Sequence, residues 1–178
     1  MVYQAVNTID FEDLNDKLAL NLLNSRQKDM CTIDGYHYKT SIPIRFADID
    51  AFGHVNNATY LTYFEIARSV YWKEIIKWDW NSVGIIIRKS EIEYLKPILL
   101  HDEIYAYVRT SRIGNSSFDV EYILVKKSHG KEEICTTGLT SCVTYDYGHG
   151  KSTLIPAYQK NKMKEFEALN VLAPEFQV

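Results

Sequence analysis

The chain reads as an α+β protein in which a curved antiparallel β-sheet wraps one long central α-helix, with a further helix added at the N-terminus. Three observations carry this. From Asn57 to about Lys77, apolar side chains (Tyr60, Leu61, Tyr63, Phe64, Ile66, Ala67, Val70, Tyr71, Ile75, Ile76) point in nearly every direction around a helix, so the helix is expected to be covered on all sides. After residues 79–84 the period drops to two, and Ile85 to Leu95, Glu103 to Ser111, Ser117 to Lys127 and Glu132 to Tyr145 read as four consecutive strands. Gly114-Asn115 and His129-Gly130 mark hairpins between them, so a meander is expected.

The remaining elements follow in order. Phe11, Leu14, Leu18 and Leu22 recur at steps of three and four, which makes residues 10–28 an amphipathic helix, with Asp10 and Asp13 in a capping arrangement. Polar residues from Asn24 to Asp29, then Asp34-Gly35, end it, so residues 1–35 read as an extension to a main domain over 36–150. Tyr38, Thr40, Ile42, Ile44 and Phe46 alternate with polar neighbours as a half-buried strand, and Pro43 confines that strand to an edge or a bulge. Pro156 followed by Tyr158, Met163, Phe166 and Leu169 predicts a short helix and tail over 151–178 that belong to the same domain.

Composition excludes several classes. The 178 residues are 46% hydrophobic, enough for one domain with a sizeable core, and 13 tyrosines, 7 phenylalanines and 3 tryptophans suit a covered helix or an apolar pocket. A formal charge of -3 and a pI near 6.0 predict neither nucleic-acid nor anionic-membrane binding. Cys31, Cys135 and Cys142 lack metal-type spacing, and alternation puts the last two on opposite faces of one strand, so reduced thiols and a cytoplasmic setting are expected. No basic-then-apolar leader and no 18-residue apolar run are present, which predicts neither export nor membrane insertion. The histidines at 37, 54, 101, 129 and 149 are scattered, so no metal site is expected, and no cofactor.

The chemistry concentrates between Arg45 and Arg68. Two carboxylates, Asp48 and Asp50, precede a turn at Gly53 and a helix start that Asn56 or Asn57 is placed to cap. A helix N-terminus offers unpaired N–H groups and partial positive charge to a developing oxyanion, and an adjacent carboxylate completes half of a hydrolytic site. Loop aspartates more often bond neighbouring backbone N–H groups, and spacing alone favours that role. Two such acids on one side of an extended segment also raise one pKa by mutual repulsion.

The run Asp48-Ile-Asp50-Ala-Phe-Gly53-His54-Val-Asn56-Asn57-Ala-Thr-Tyr60, continued by Tyr63-Phe-Glu65-Ile-Ala-Arg68, resembles the signature of the hotdog-fold acyl-CoA thioesterases of the 4-hydroxybenzoyl-CoA thioesterase type. Glu93-Tyr94-Leu-Lys-Pro97, Asp102-Glu103 and Arg112-Ile-Gly114-Asn-Ser-Ser117 fit the same family in order and spacing, and the resemblance spans roughly Tyr36 to Tyr145. It implies the hotdog fold and hydrolysis of an acyl-CoA thioester. It also implies sites built at subunit boundaries, hence a homodimer or a dimer of dimers, which the apolar edge expected at Ile85 to Leu95 supports.

By the same resemblance Asp50 aligns with the family aspartate that acts as general base or nucleophile, and both roles stay open. The backbone N–H of Asn57 matches the carbonyl-polarising donor. One branch has histidine at the Asn57 position, and this chain lacks that acid-base group. Gly53, His54, Val55, Asn56 and Tyr60 are implied to face substrate, as is Glu65, since some members place the carboxylate on the central helix. Eight residues at about 1.5 Å put Glu65 about 12 Å past a helix start at Asn57, so a buried pairing with Arg68 is preferred for it. Arg112, Gly114, Ser116 and Ser117 resemble the contact to the nucleotide end of coenzyme A, with Arg88, Lys89 and Arg109 as further phosphate candidates. Asp48 is expected to hold the loop. The motif also resembles the acyl-ACP thioesterase branch, which would need a clustered basic face, and a non-catalytic acyl-CoA-binding module is the reading from a different class.

Overall fold

A computed structural model describes residues 32–128 and 130–168. The helix expected over 10–28, Cys31, His129 and the tail past residue 168 lie outside the described residues. Six strands form one antiparallel sheet: β1 (Tyr38–Ile42), β2 (Gly84–Tyr94), β3 (Ile104–Ile113), β4 (Ser117–Ser128), β5 (Lys131–Asp146) and β6 (Lys151–Ser152). Their spatial order is β1-β3-β4-β5-β2, with β6 on β5. The meander therefore covers β3 to β5 only. The expected fourth member, β2, crosses to the far side of β5 and becomes an edge, because the chain reaches it from the end of the helix and not from a hairpin.

β1 is the other edge and buries Tyr38 and Ile42. It stops before Pro43, which supplies no ladder N–H. The expected continuation to Phe46 fails: Arg45 leads into a 3-10 turn at Phe46–Asp48, and the Phe46 ring is left 83% exposed.

The central helix α1 (Thr59–Tyr71) continues into a π-helical turn at Trp72–Ile76 and stops at Lys77, whose φ of 55° is left-handed. Tyr60, Tyr63, Phe64, Ala67 and Tyr71 are buried against the sheet. Each large side chain among them stabilises the fold by about 1.5–3 kcal/mol. The helix is not covered all round, since Leu61, Glu65 and Ser69 on the opposite side are exposed. α1 lies nearest β1 and β3, its Phe64 reaches across to β4 and β5, and most residues of β2 are exposed, with Ile85 and Ile92 packed against the core.

One close approach depends on a missing Cβ. At Gly138 on β5 a Cβ would lie 2.3 Å from Phe64 Cε2, so glycine lets the Phe64 ring lie flat on the sheet, stacked 4.4 Å from Tyr122.

A terminal helix, α2 (Ala157–Ala168), closes the other end of the core with Met163. Its Glu167 Oε1 accepts the Tyr71 hydroxyl and the Thr110 N–H, each at 2.8 Å.

Cys135 and Cys142 do not face opposite sides. The register skips Cys135 between the Thr136–Leu124 and Ile134–Val125 pairs, and this bulge resets the alternation so that both thiols join the core cluster. Both are free, and burial pushes the Cys142 thiol up to about 12. Among the described residues no helix is long and apolar enough to cross a membrane.

Candidate active site

The Arg45 to Asn57 loop folds into a miniature hairpin. Ile49 bridges Val55, the Asp50 N–H donates to the His54 carbonyl at 2.8 Å, and Gly53 at φ +84° makes the reversal, a conformation that side-chain-bearing residues resist. This hairpin is tied to the segment after β2: the Val55 N–H donates to the Ile98 carbonyl at 2.8 Å, and His54 bridges Leu99.

Asp48 and Asp50 have diverged in environment. Asp48 is 3% exposed, and its carboxylate accepts the Arg45 N–H, the Arg45 guanidinium and the Tyr63 hydroxyl. Burial alone raises its pKa, but these donors outweigh burial and hold it below the usual carboxylate range. The rise expected from a second acid does not occur there, because the 3-10 turn aims Asp48 inward while Asp50 stays in the half-exposed loop.

Asp50 Oδ1 accepts the Phe52 N–H at 2.8 Å and the His54 N–H at 3.4 Å. The loop-holding role is thus real at Asp50 too, yet it uses one oxygen. Among the described residues Oδ2 accepts no hydrogen bond, so one oxygen anchors the carboxylate and the other is left uncommitted.

The helix begins at Thr59, two residues later than expected. Asn56 makes the entry: its Oδ1 accepts the Ala58 N–H at 2.9 Å and its carbonyl the Thr59 N–H at 2.9 Å. Asn57 therefore precedes the helix, and among the described residues nothing accepts its N–H.

Asp50, His54, Val55, Asn57 and Tyr60 line one cavity of about 330 Å³, together with Tyr94, Leu95, Lys96 and Pro97. That is within the size range of small-ligand sites. Gly53 and Asn56 shape its loop without lining it. The wall from Tyr94 to Pro97 was not expected from single residues, although the Glu93-Tyr94-Leu-Lys-Pro97 run was its signal. Tyr94 donates its hydroxyl to the Asn57 carbonyl at 3.0 Å, and its ring meets Tyr60 edge-on at 5.0 Å. Lys96 pairs with Glu133. Burial raises the Tyr60 pKa, so that hydroxyl stays protonated.

Other expected site residues lie elsewhere. Glu65 is not buried: its side chain is 66% exposed, and the largely covered member of its 3.8 Å pair is Arg68. Arg112, Gly114, Ser116 and Ser117 sit at the β3–β4 turn, about 30 Å along β3 from its cavity-side end. Arg112 there holds Asp119 through two nitrogens, at 2.6 and 2.9 Å. Lys89 pairs with Glu91 and Arg109 with Glu121, while Arg88 is the exposed extra residue of a bulge in β2. Among the described residues no group of three or more His, Cys, Asp or Glu gathers as a metal set.

A family model described as the thioesterase-like superfamily matches residues 44–165. The chain is 29% identical over 118 residues to the uncharacterized protein YsmA of Bacillus subtilis, covering 66% of this chain and 78% of that one. It is 21% identical over 130 residues to the long-chain acyl-CoA thioesterase FadM of Escherichia coli, covering 71% and 97%. A thioesterase from Thermus thermophilus, solved with coenzyme A and zinc, superposes with a TM-score of 0.66 at 32% identity, covering 76% of this chain and 97% of that one. The sheet and central helix are the hotdog fold, and the chain belongs to the thioesterase-like superfamily.

Proposed function

We propose that the chain is a thioesterase that hydrolyses an acyl-CoA thioester to the free acid and coenzyme A. The observation that carries the reading is the meeting of the Asp50 carboxylate and the Asn57 N–H in one cavity, within a chain of this superfamily. The thioester carbonyl lies with its oxygen at the Asn57 N–H, next to the positive end of α1. As general base, Asp50 takes a proton from water while the water oxygen bonds to the carbonyl carbon; as nucleophile, its own oxygen forms that bond and water later cleaves the anhydride. Either way the carbon–sulfur bond breaks as the oxyanion collapses, and the thiolate leaves without strong acid help.

The long-chain acyl-CoA substrate in the name of the Escherichia coli relative and the coenzyme A bound to the Thermus protein support an acyl-CoA substrate. A homodimer or dimer of dimers fits the edge strand β2, whose Ile86 and Ile87 are 36% and 38% exposed. Free buried thiols suit a reducing, cytoplasmic setting. The test is thiol release over a panel of CoA and ACP thioesters with the parent and Asp50→Asn. Hydrolysis of acyl-CoA that is lost in the variant is expected. A marked ACP preference that falls steeply with salt moves the substrate to ACP, and binding without turnover of any thioester makes the chain a binding module.

A further inference from the structure

Asn57 precedes the first helical residue, Thr59, so the helix alone does not fix where its N–H points. Two peptide planes meet at Asn57, and its aim is set once both are held. The first plane joins Asn56 to Asn57 and carries the N–H. Its carbonyl accepts the Thr59 N–H at 2.9 Å, which turns the N–H outward from the helix end. The second plane joins Asn57 to Ala58 and is gripped at both ends by side chains. Asn56 Oδ1 accepts the Ala58 N–H at 2.9 Å, and the Tyr94 hydroxyl donates to the Asn57 carbonyl at 3.0 Å. Asn56 is a neighbour in sequence, whereas Tyr94 comes from 37 residues further along the chain.

Tyr94 is itself firmly placed. It is the last residue of β2 and pairs with Thr136, and the next two N–H groups, of Leu95 and Lys96, both donate to the Cys135 carbonyl at 2.9 and 3.0 Å. The strand end is thereby fastened to the bulge in β5. Its ring meets the buried Tyr60 of the first turn of α1 edge-on at 5.0 Å, so backbone and ring are both fixed before the hydroxyl reaches Asn57. The segment after β2 grips the loop a second time where the Ile98 carbonyl accepts the Val55 N–H at 2.8 Å. Tyr94 is 49% exposed, so water competes for its hydroxyl and the bond adds little to the stability of the fold. What it governs is geometry at the cavity that Tyr94 and Asn57 both line.

We propose that Tyr94 is a positioning residue of the thioester site, whose hydroxyl braces the Asn57 peptide so that the unpaired Asn57 N–H meets the substrate carbonyl oxygen; this deepens the thioesterase reading and rests on it. In this role Tyr94 takes no proton and makes no bond to the substrate. A donor to an oxyanion acts only when aligned, and deleting one outright costs about 10²–10³ in kcat. Loosening it by removing its brace should cost less, about tenfold. On binding, the thioester carbonyl exchanges a water hydrogen bond for the N–H, so KM should barely move. The negative oxygen of the transition state needs the donor more, and the loss therefore falls on kcat.

The test uses Tyr94→Phe, which keeps the ring against Tyr60, and Tyr94→Leu, which removes ring and hydroxyl together, with decanoyl-CoA isotopically labelled at its thioester carbonyl. Steady-state kinetics of Tyr94→Phe should show kcat lowered about tenfold, KM within about twofold of the parent and Tm nearly unchanged. Infrared difference spectra of the labelled carbonyl bound to Asp50→Asn should place its band below the solution frequency, and adding Tyr94→Phe should move the band back toward the solution value. A parental kcat with an unmoved band in Tyr94→Phe overturns the assignment, and a loss confined to Tyr94→Leu overturns it by giving the ring a packing role. A raised KM at constant kcat overturns it by making Tyr94 a substrate contact. So does a carbonyl band in Asp50→Asn that stays at its solution frequency. A parent that hydrolyses no CoA or ACP thioester sinks the thioesterase reading; a band displaced in that parent and restored by Tyr94→Phe leaves the bracing of Asn57 standing at a bound carbonyl.

Discussion

Tyr63, on α1, donates its hydroxyl to Asp48 Oδ2 at 3.0 Å, which ties the loop that carries Asp50 to the helix that follows it. Because the bond is buried and Asp48 is charged, Asp48→Asn should cost about 1–3 kcal/mol. At this chain length that lowers Tm by roughly 3–10 °C. The pKa of Asp48 is depressed in the folded state, so its contribution is present above the ordinary carboxylate value of about 4 and is lost as pH falls through the folded value. Urea unfolding from neutral to acid pH should show a steep acid limb in the parent and a flatter one in Asp48→Asn.

Asp50→Asn keeps an oxygen for the Phe52 and His54 N–H groups and removes the charge. Turnover should fall by roughly two to four orders of magnitude with Tm nearly unchanged. Near-normal turnover in this variant, with Glu65→Gln inactive, would move the reacting carboxylate to the helix.

Gly138→Ala should destabilise the protein by about 1–3 kcal/mol or prevent folding, since the new methyl group meets Phe64 at 2.3 Å. Thermal melts check this. Phe64→Leu should relieve part of the cost, and a rescue by Leu would identify the clash as the cause.

Arg112→Ala removes an exposed pair with Asp119, so stability should change by no more than about 1 kcal/mol. Because the turn is remote from the cavity within one chain, the KM for acyl-CoA should move less than about twofold. A rise of tenfold or more would bring the β3–β4 turn into a neighbouring subunit's site.

Sedimentation should give a particle of at least twice 20.7 kDa. Ile87→Lys places a charge on the exposed edge strand β2 and should shift it toward monomer, with loss of turnover. A monomeric parent with full activity would refute self-association as a requirement.

The elements were legible where periodicity was strong. The four later strands fell within a residue or two of their expected ends, because alternation against one buried face fixes them. Strand order was not legible, since nothing in Ile85 to Leu95 says which neighbour it pairs with. Phe46 and Cys135 were misplaced for one reason: a 3-10 turn and a bulge each break the count of two on which facing is inferred. In the loop, it was the family resemblance and not spacing that grouped Asp50, His54, Val55, Asn57 and Tyr60, and the five line one cavity. Tyr94 to Pro97 came from sequence-distant chain, and the bond from Tyr94 to Asn57 has no local signature.

The two core thiols give the molecule an internal clock. A thiol held in its protonated form by burial is inert to alkylating reagents and to disulfide exchange until the sheet opens around it. The rate at which Cys135 and Cys142 become labelled, read peptide by peptide in a mass spectrometer, therefore measures the opening of β5 against the helix. Comparing that rate with and without bound acyl-CoA separates a substrate that merely occupies the cavity from one that locks the whole sheet.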